Sequence, residues 1–318
     1  MKIYNPKARK RFGQNFLHDE SVISQIIKAV NPKSAQHIIE IGPGLGALTK
    51  HLLASNAQVS AIELDRELIP HLLLHFGLQA NFSLHEADAL QFNFADVLTR
   101  ISKQDANSQL NSTNCIVSDK QNRKLYANKS ELLNVDTADI VANNFASATN
   151  YQNLNTANKL RIVGNLPYNI STALIFHLLQ QVNVIFDMHF MLQKEVVDRL
   201  AATNKMPNFG RLSVMVQYFC KVEKLFEVMP HAFNPQPKVT SAIVRLVPYQ
   251  DIPYKAHDLA IFTNLVKQAF SQKRKTLRNC LKNMVSDAIF SKAQIDPSLR
   301  AEKLSIEQFV SLANLLVS

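Results

Sequence analysis

The sequence predicts an α/β protein: an open, mostly parallel sheet of seven strands in front of a small all-α segment. Three observations predict it. From His37 to Leu192, short apolar runs of strand length alternate with stretches of helical periodicity. A glycine-rich turn, Gly42-Pro-Gly-Leu-Gly46, joins the first of those runs to a helix, as cofactor-binding half-folds require. Beyond Pro248 only helical periodicity remains. The expected division is therefore a sheet domain at 1–248 and a helical, basic domain at 249–318.

Taken in order, the chain opens on a basic arm. Lys7, Arg9, Lys10 and Arg11 run straight into Phe12-Gly-Gln-Asn-Phe-Leu17, which suits an arm closing over a ligand. Val22, Ile23, Ile26, Ile27 and Val30 predict a helix over 21–30, stopped by Asn31-Pro32. His37 to Gly42 is a strand, 47–54 a helix, and Gln58 to Leu64 a second strand ending in Glu63 and Asp65. A third strand, Phe82 to Glu86, runs into Asp88.

From about Ile101 to Lys159 the pattern fails. This stretch is rich in Asn, Ser, Thr and Gln, with weak patches such as Cys115-Ile-Val117, and reads as a polar, loosely ordered insertion without chemistry of its own. Leu160 to Val163 restores the pattern as a buried strand. Gly164 and Pro167 end it, and Ser171 is placed to cap a helix running to about Gln181. Val184 to Leu192 is a strand, helices follow from Gln193 and over 209–217, and Tyr218 to Val228 is the next strand. Phe233 to Lys238 reads as a proline-held loop, and Val239 to Val247 as a strand pairing antiparallel with its predecessor. Val266, Phe270, Leu277, Leu281 and Met284 predict one apolar stripe on a helix within 260–284, with Lys267, Arg274, Arg278 and Lys282 on an adjacent face. A last amphipathic helix covers 304–316.

Spacing chooses among cofactors. A dinucleotide site asks for Gly-x-Gly-x-x-Gly and a helix amino terminus aimed at a pyrophosphate. This chain has Gly-x-Gly-x-Gly, and Glu40 just before it repels phosphate but suits an ammonium-bearing ligand. Glu63, 17 residues past Gly46, is placed for ribose hydroxyls, and Asp88 for an adenine amine. S-adenosylmethionine carries an ammonium and a sulfonium and no phosphate.

The next site is Asn165-Leu166-Pro167-Tyr168, at the carboxyl end of a strand. The carboxamide oxygen of Asn165 can accept one hydrogen of an exocyclic amine, the carbonyl of Leu166 or Pro167 the other, and Tyr168 offers a stacking face. Phe233 is a second aromatic for such a clamp, or equally a core residue near a loop.

Composition narrows the partners. A formal charge of +10 and a pI near 9.5 point to a polyanion, and with a base-binding motif in the chain that means nucleic acid, with Lys10, Arg11, Arg274 and Arg278 as contacts. No segment approaches the roughly 20 apolar residues of a membrane span. The amino terminus lacks the apolar core of a signal peptide. Cys115, Cys220 and Cys280 show no paired metal spacing, which fits a cytoplasmic protein with no metal site.

Together these residues resemble the KsgA-type small-subunit ribosomal RNA adenine dimethyltransferases. The motifs that carry the resemblance are Lys10-Arg-Phe-Gly-Gln-Asn-Phe-Leu17, Glu40-Ile-Gly-Pro-Gly-Leu-Gly46, Ile62-Glu-Leu-Asp-Arg66, Asp88-Ala89, Asn165 to Ser171, His189 to Glu195 and Asn234 to Val239. The resemblance implies a Rossmann-like, S-adenosylmethionine-dependent methyltransferase sheet. It implies methylation of N6 on two adjacent adenosines in a hairpin near the 3′ end of 16S ribosomal RNA, within the maturing 30S subunit. It places Asn15, Leu17, Gly42, Glu63, Asp88 and Asn165 at the cofactor and Asn165 through Tyr168 at the target base. Family members have only a short connection where residues 101–159 stand. A monomer is expected.

Three rival readings are a resistance-type large-subunit methyltransferase, a ribosome-docking assembly factor without catalysis, and a nicotinamide oxidoreductase. The Arg11-to-Leu17 arm and the Asn234-to-Lys238 loop speak against the first, the retained Glu63, Asp88 and Asn165 against the second, and the glycine spacing against the third.

Overall fold

A computed structural model of the chain describes residues 8–9, 13–99, 117–118 and 159–317. Lys10, Arg11 and nearly all of the 101–159 stretch lie outside the described residues, so the expectations placed on them are not addressed by it.

All seven predicted strands form. They are β2 (His37–Ile41), β3 (Gln58–Glu63), β4 (Phe82–Glu86), β6 (Leu160–Asn165), β7 (Ile185–Gln193), β8 (Cys220–Val228) and β10 (Ser241–Pro248). A two-residue strand, β5 (Val117–Ser118), joins the edge beside β4, giving one sheet in the order β5-β4-β3-β2-β6-β7-β10-β8. Strands β5 through β7 are parallel, and β10 runs antiparallel to both β7 and β8. The chain winds outward from β2 to β5, then restarts on the other side of β2 with β6. The resulting crevice lies over the carboxyl ends of β2 and β6, the usual ligand position in such sheets.

Period-two alternation divides the interior. Ile39, Ile41 and Ile162 pack into one buried cluster with α4 (Ser171–Leu179) and α6 (Arg211–Phe219). Ile38 and Val163 face the other way, onto α1 (Glu20–Val30), α2 (Thr49–Ala54) and α3 (Ile69–Phe76). Helix α1 starts where the Asp19 carboxylate accepts the Ser21 and Val22 N–H groups, and ends where Asn31 turns left-handed at φ 48°. A short helix, α5 (Lys194–Leu200), follows β7.

Behind the sheet stand α7 (Leu259–Ala269), α8 (Leu277–Leu281), α9 (Asp287–Lys292) and α10 (Ile306–Val317). Their apolar faces join the same cluster that covers α6, with the Tyr218 and Phe262 rings 4.5 Å apart. No helix among the described residues is long and apolar enough to cross a membrane.

Four local expectations are corrected. The single helix within 260–284 is two. Its chain turns after Phe270, and the first amides of α8 donate to a distant segment, Leu277 N–H to Leu299 O and Arg278 N–H to Pro297 O. The basic residues around Arg274 therefore sit on a turn, not along one helix face. Ser171 does not cap α4; it is the first helical residue, and its hydroxyl donates to Tyr168 O. Tyr218 and Phe219 end α6 instead of opening β8. The loop at Phe233 contains a two-residue strand, β9 (Phe233–Asn234), which pairs antiparallel with β1 (Phe16–Leu17) of the amino-terminal arm.

Candidate active site

Three parallel strands deliver three acids to one end of the sheet. Glu40 is the next-to-last residue of β2, Glu63 the last of β3, and Asp88 follows β4 by two residues. They line a cavity of about 510 Å³ together with Gly42, Gly44 and the arm residues Asn15, Phe16 and Leu17.

Glu40 and Glu63 are 2% and 6% exposed. Burial pushes each carboxyl up to about 7, against opposing hydrogen bonds to Glu40 from Thr49 and to Glu63 from the amides of Asp65, Gly44 and Leu64. Thr49 Oγ1 donates to Glu40 at 2.6 Å, and Asp65 N–H donates to Glu63 at 2.8 Å. Two acids that have lost their water gain most from a ligand bearing several donors. Among the described residues the lining includes three acids and no Lys, Arg or His, a wall that would repel a phosphate-bearing cofactor.

The arm is strapped over this wall. Phe16 lies so close to the turn that a Cβ on Gly44, at φ 61°, would stand 3.2 Å from its ring. Upstream, Gln14 donates from Nε2 to Asp65 at 3.0 Å and accepts Arg9 N–H at 2.8 Å. Arg9 also pairs with Asp65 at 3.2 Å and with Glu67.

Asn165 ends β6 at the cavity. Its Nδ2 donates to the backbone carbonyl of Asn15 at 3.0 Å. A carbonyl can receive only a donor, so this contact fixes the carboxamide's sense and leaves Oδ1 as the acceptor for a ligand. Pro167 O already accepts Ile170 N–H in a turn, which favours the Leu166 carbonyl as the second acceptor. Tyr168 is half-buried at the wall, and its hydroxyl meets Ser241 Oγ at 2.8 Å.

Asn15, Leu17, Gly42, Glu63, Asp88 and the four residues from Asn165 to Tyr168 therefore line one cavity. Phe233 is not brought to it. It is 2% exposed, paired opposite Leu17, and packed in the core beneath the arm. Arg274 and Arg278 are exposed among the carboxyl-terminal helices, with Arg278 3.2 Å from Asp287. Sequence reasoning missed Thr49 and Ser241 as partners. It saw Gln14 only as part of a motif.

The sequence model for ribosomal RNA adenine dimethylase matches residues 5–318. The chain belongs to that family. It is an S-adenosylmethionine-dependent enzyme that methylates adenine in ribosomal RNA. A Pseudomonas aeruginosa protein named ribosomal RNA small subunit methyltransferase A is 47% identical over 314 residues, covering 99% of this chain and 96% of its own. A Marinobacter nauticus protein of the same name is 46% identical, covering 98% and 92%. Among solved structures, a dimethyladenosine transferase from Plasmodium falciparum superposes with a TM-score of 0.65 at 24% identity, over 93% of this chain and 95% of that one. The 23S rRNA methyltransferase ErmE gives 0.62 at 20%, over 96% and 100%. At those identities the likeness is one of fold.

The cavity suits the family's cofactor. Glu63 can take both ribose hydroxyls, Asp88 an adenine amine, and Glu40 lies on the wall where an ammonium would offset its buried charge.

Proposed function

We propose that the chain dimethylates N6 of two adjacent adenosines in the 3′-terminal hairpin of 16S ribosomal RNA during maturation of the 30S subunit. The observation that carries this reading is Asn165, whose Nδ2 is held by the Asn15 carbonyl so that its oxygen is left to accept from a ligand in the cavity it lines with Glu63 and Asp88. The names of the bacterial relatives at 46–47% identity support the small subunit as target.

S-adenosylmethionine supplies a methyl group on a positively charged sulfur, the electrophile of the transfer. Asn15, Leu17, Gly42, Glu63 and Asp88 bind and orient it. The adenosine leaves its stack to enter the pocket, where Tyr168 supports its face. Asn165 Oδ1 and the Leu166 carbonyl accept the two amino hydrogens, drawing the nitrogen lone pair out of conjugation with the ring. Alignment of nitrogen and methyl then supplies much of the rate. The transfer needs no metal and no covalent enzyme intermediate.

In this reading residues 1–248 carry the chemistry and 249–318 contact RNA, with Lys10, Arg11, Arg274 and Arg278 meeting phosphates. Phe233 serves as the buried anchor of the arm. The enzyme works as a cytoplasmic monomer.

The test is methyl incorporation from labelled cofactor into under-methylated small subunits, with large subunits and free RNA alongside. Label in adjacent N6,N6-dimethyladenosines of the small subunit is the expected result. Label in the large subunit, or tight binding without label, overturns it. In the same assay Asn165→Ala should lose turnover by about a hundredfold while cofactor affinity changes far less.

A further inference from the structure

We propose that Gln14 is a positioning residue for methyl transfer, clipping the arm to Asp65 so that the Asn15 carbonyl holds the Asn165 carboxamide in its reactive sense. The inference rests on the base-binding role of Asn165 proposed above.

The clip is built from both ends of one side chain. Gln14 Nε2 donates to Asp65 Oδ2 at 3.0 Å, while its Oε1 accepts Arg9 N–H at 2.8 Å. Asp65 is a firm post. It is 3% exposed, its own N–H donates to Glu63, and its Oδ1 accepts Glu67 N–H at 3.2 Å. The next residue along the arm from Gln14 is Asn15, whose carbonyl receives Asn165 Nδ2. Beyond it the arm is held by the ladder of Phe16 and Leu17 with β9. Asn15 thus sits between two anchors, and the clip is the one on its amino side.

The chemistry explains why this carbonyl must stay in place. A free carboxamide can turn end for end. Turned, Asn165 would present its NH₂ to the amino group of adenine, donor against donor, and the nitrogen would keep its lone pair in the ring. A fixed Asn15 carbonyl forbids that arrangement, because it would then face Oδ1. The arm therefore does more than cover the cofactor: it sets which atom of Asn165 meets the substrate.

The experiment compares full-length wild type, Gln14→Leu and the exchange Gln14→Glu with Asp65→Asn. In the exchange the hydrogen bond runs in reverse, from the new amide to the new carboxylate, and net charge is unchanged. Cofactor affinity is measured by equilibrium binding, and transfer by single turnover at saturating labelled cofactor, on whichever ribosomal RNA the wild type methylates. Gln14→Leu should be slower by about tenfold even with cofactor saturated, the scale of one lost hydrogen bond, and the exchange should recover most of that loss. Wild-type rate in Gln14→Leu once cofactor saturates would reduce Gln14 to a cofactor strap and overturn the proposal. So would a slow Gln14→Leu that the exchange leaves slow. A wild type that methylates the large subunit would sink the small-subunit reading alone, since the comparison can still be made on that RNA.

Discussion

The hydroxyl of Tyr168 lies 2.8 Å from that of Ser241, which ties the loop after β6 across β7 to the first residue of β10. Ser241 is fully buried, and burial raises the Tyr168 hydroxyl pKa above its ordinary value, so the pair stays neutral and either group can donate. Pinned at its far end, the ring is a fixed part of the cavity wall. Tyr168→Phe and Ser241→Ala should each lower kcat/KM for RNA by several-fold, and the double variant should be no worse than either single one. Additive losses would mean that the two hydroxyls act separately. Tyr168→Ala should cost about ten- to hundredfold through lost stacking.

With Glu63 in its proposed cofactor-binding role, cofactor affinity should depend on pH. Burial raises its pKa from 4.5 to about 7, so the folded protein holds a proton that the unfolded chain releases above 4.5. The contribution to stability is therefore present at low pH and lost as pH rises from 4.5 to 7. Ribose hydroxyls donate to the carboxylate and favour its charged form, so binding should expel a proton near neutral pH, and affinity should fall as pH drops below 7. Calorimetry at pH 6.5 in buffers of different ionisation enthalpy reads this directly. Proton release should shrink in Glu63→Gln. Because Glu40 is raised to about 7 as well, Glu40→Gln should remove a further share. Glu63→Gln should also unfold at higher denaturant than wild type at pH 8, with the difference narrowing at pH 5.

The sheet was legible because its signals are local. The short apolar runs of β2 and β6, the glycine turn, and acids at three strand ends all lie within single short stretches. The same holds for Asn165 to Tyr168. What escaped were contacts between distant segments. Ser241 is an ordinary serine at a strand start, and nothing nearby in the sequence links it to Tyr168. The pairing of Phe16–Leu17 with Phe233–Asn234 spans most of the chain, so Phe233 read as a clamp candidate although its side chain is spent in the core. The helix within 260–284 kept its apolar spacing through a turn, because Val266, Leu277 and Leu281 are all buried on either side of it. Periodicity reports which residues are buried; it does not report that the Leu277 and Arg278 amides bond to the 297–299 segment.

Gly46 couples the cofactor turn to the core. Its φ is 86°, and a Cβ there would stand 2.4 Å from the ring of Phe76, a buried side chain of α3 with little room to yield. Gly46→Ala should therefore destabilise the protein by about 2–4 kcal/mol, combining left-handed backbone strain with overpacking. Because the same turn carries Gly42 and Gly44 on the cavity wall, cofactor affinity should fall with it. Urea unfolding and equilibrium binding check the two effects. Phe76→Leu in the Gly46→Ala background should regain part of the stability by making room.

At the other end of β6, Asp187 is completely buried between two arginines. Arg161 grips both of its oxygens at 2.8 Å, and Arg245 reaches it at 3.3 Å. Arg161 also donates to Gln36 at 3.0 Å, which ties β6 to the segment leading into β2. His189 beside them is held neutral, its pKa pushed down to about 4 by burial, so it cannot substitute as a charge partner. Asp187 and His189 are two of the residues that interrupt the apolar run of β7, and the ion pair is the reason an acid is tolerated there. Asp187→Ala would strand the buried Arg161 cation, with the half-buried Arg245 beside it, and should cost about 3–5 kcal/mol. Replacing Arg161 by Met in the same background should recover much of it, since removing both charges spares the stranded one. The cluster lies at the opposite end of the strand from Asn165. Below the unfolding transition, kcat of Asp187→Ala should therefore stay within about twofold of wild type. A large loss of kcat in folded protein would show that the arginine cluster also sets the register of β6, and with it the position of Asn165.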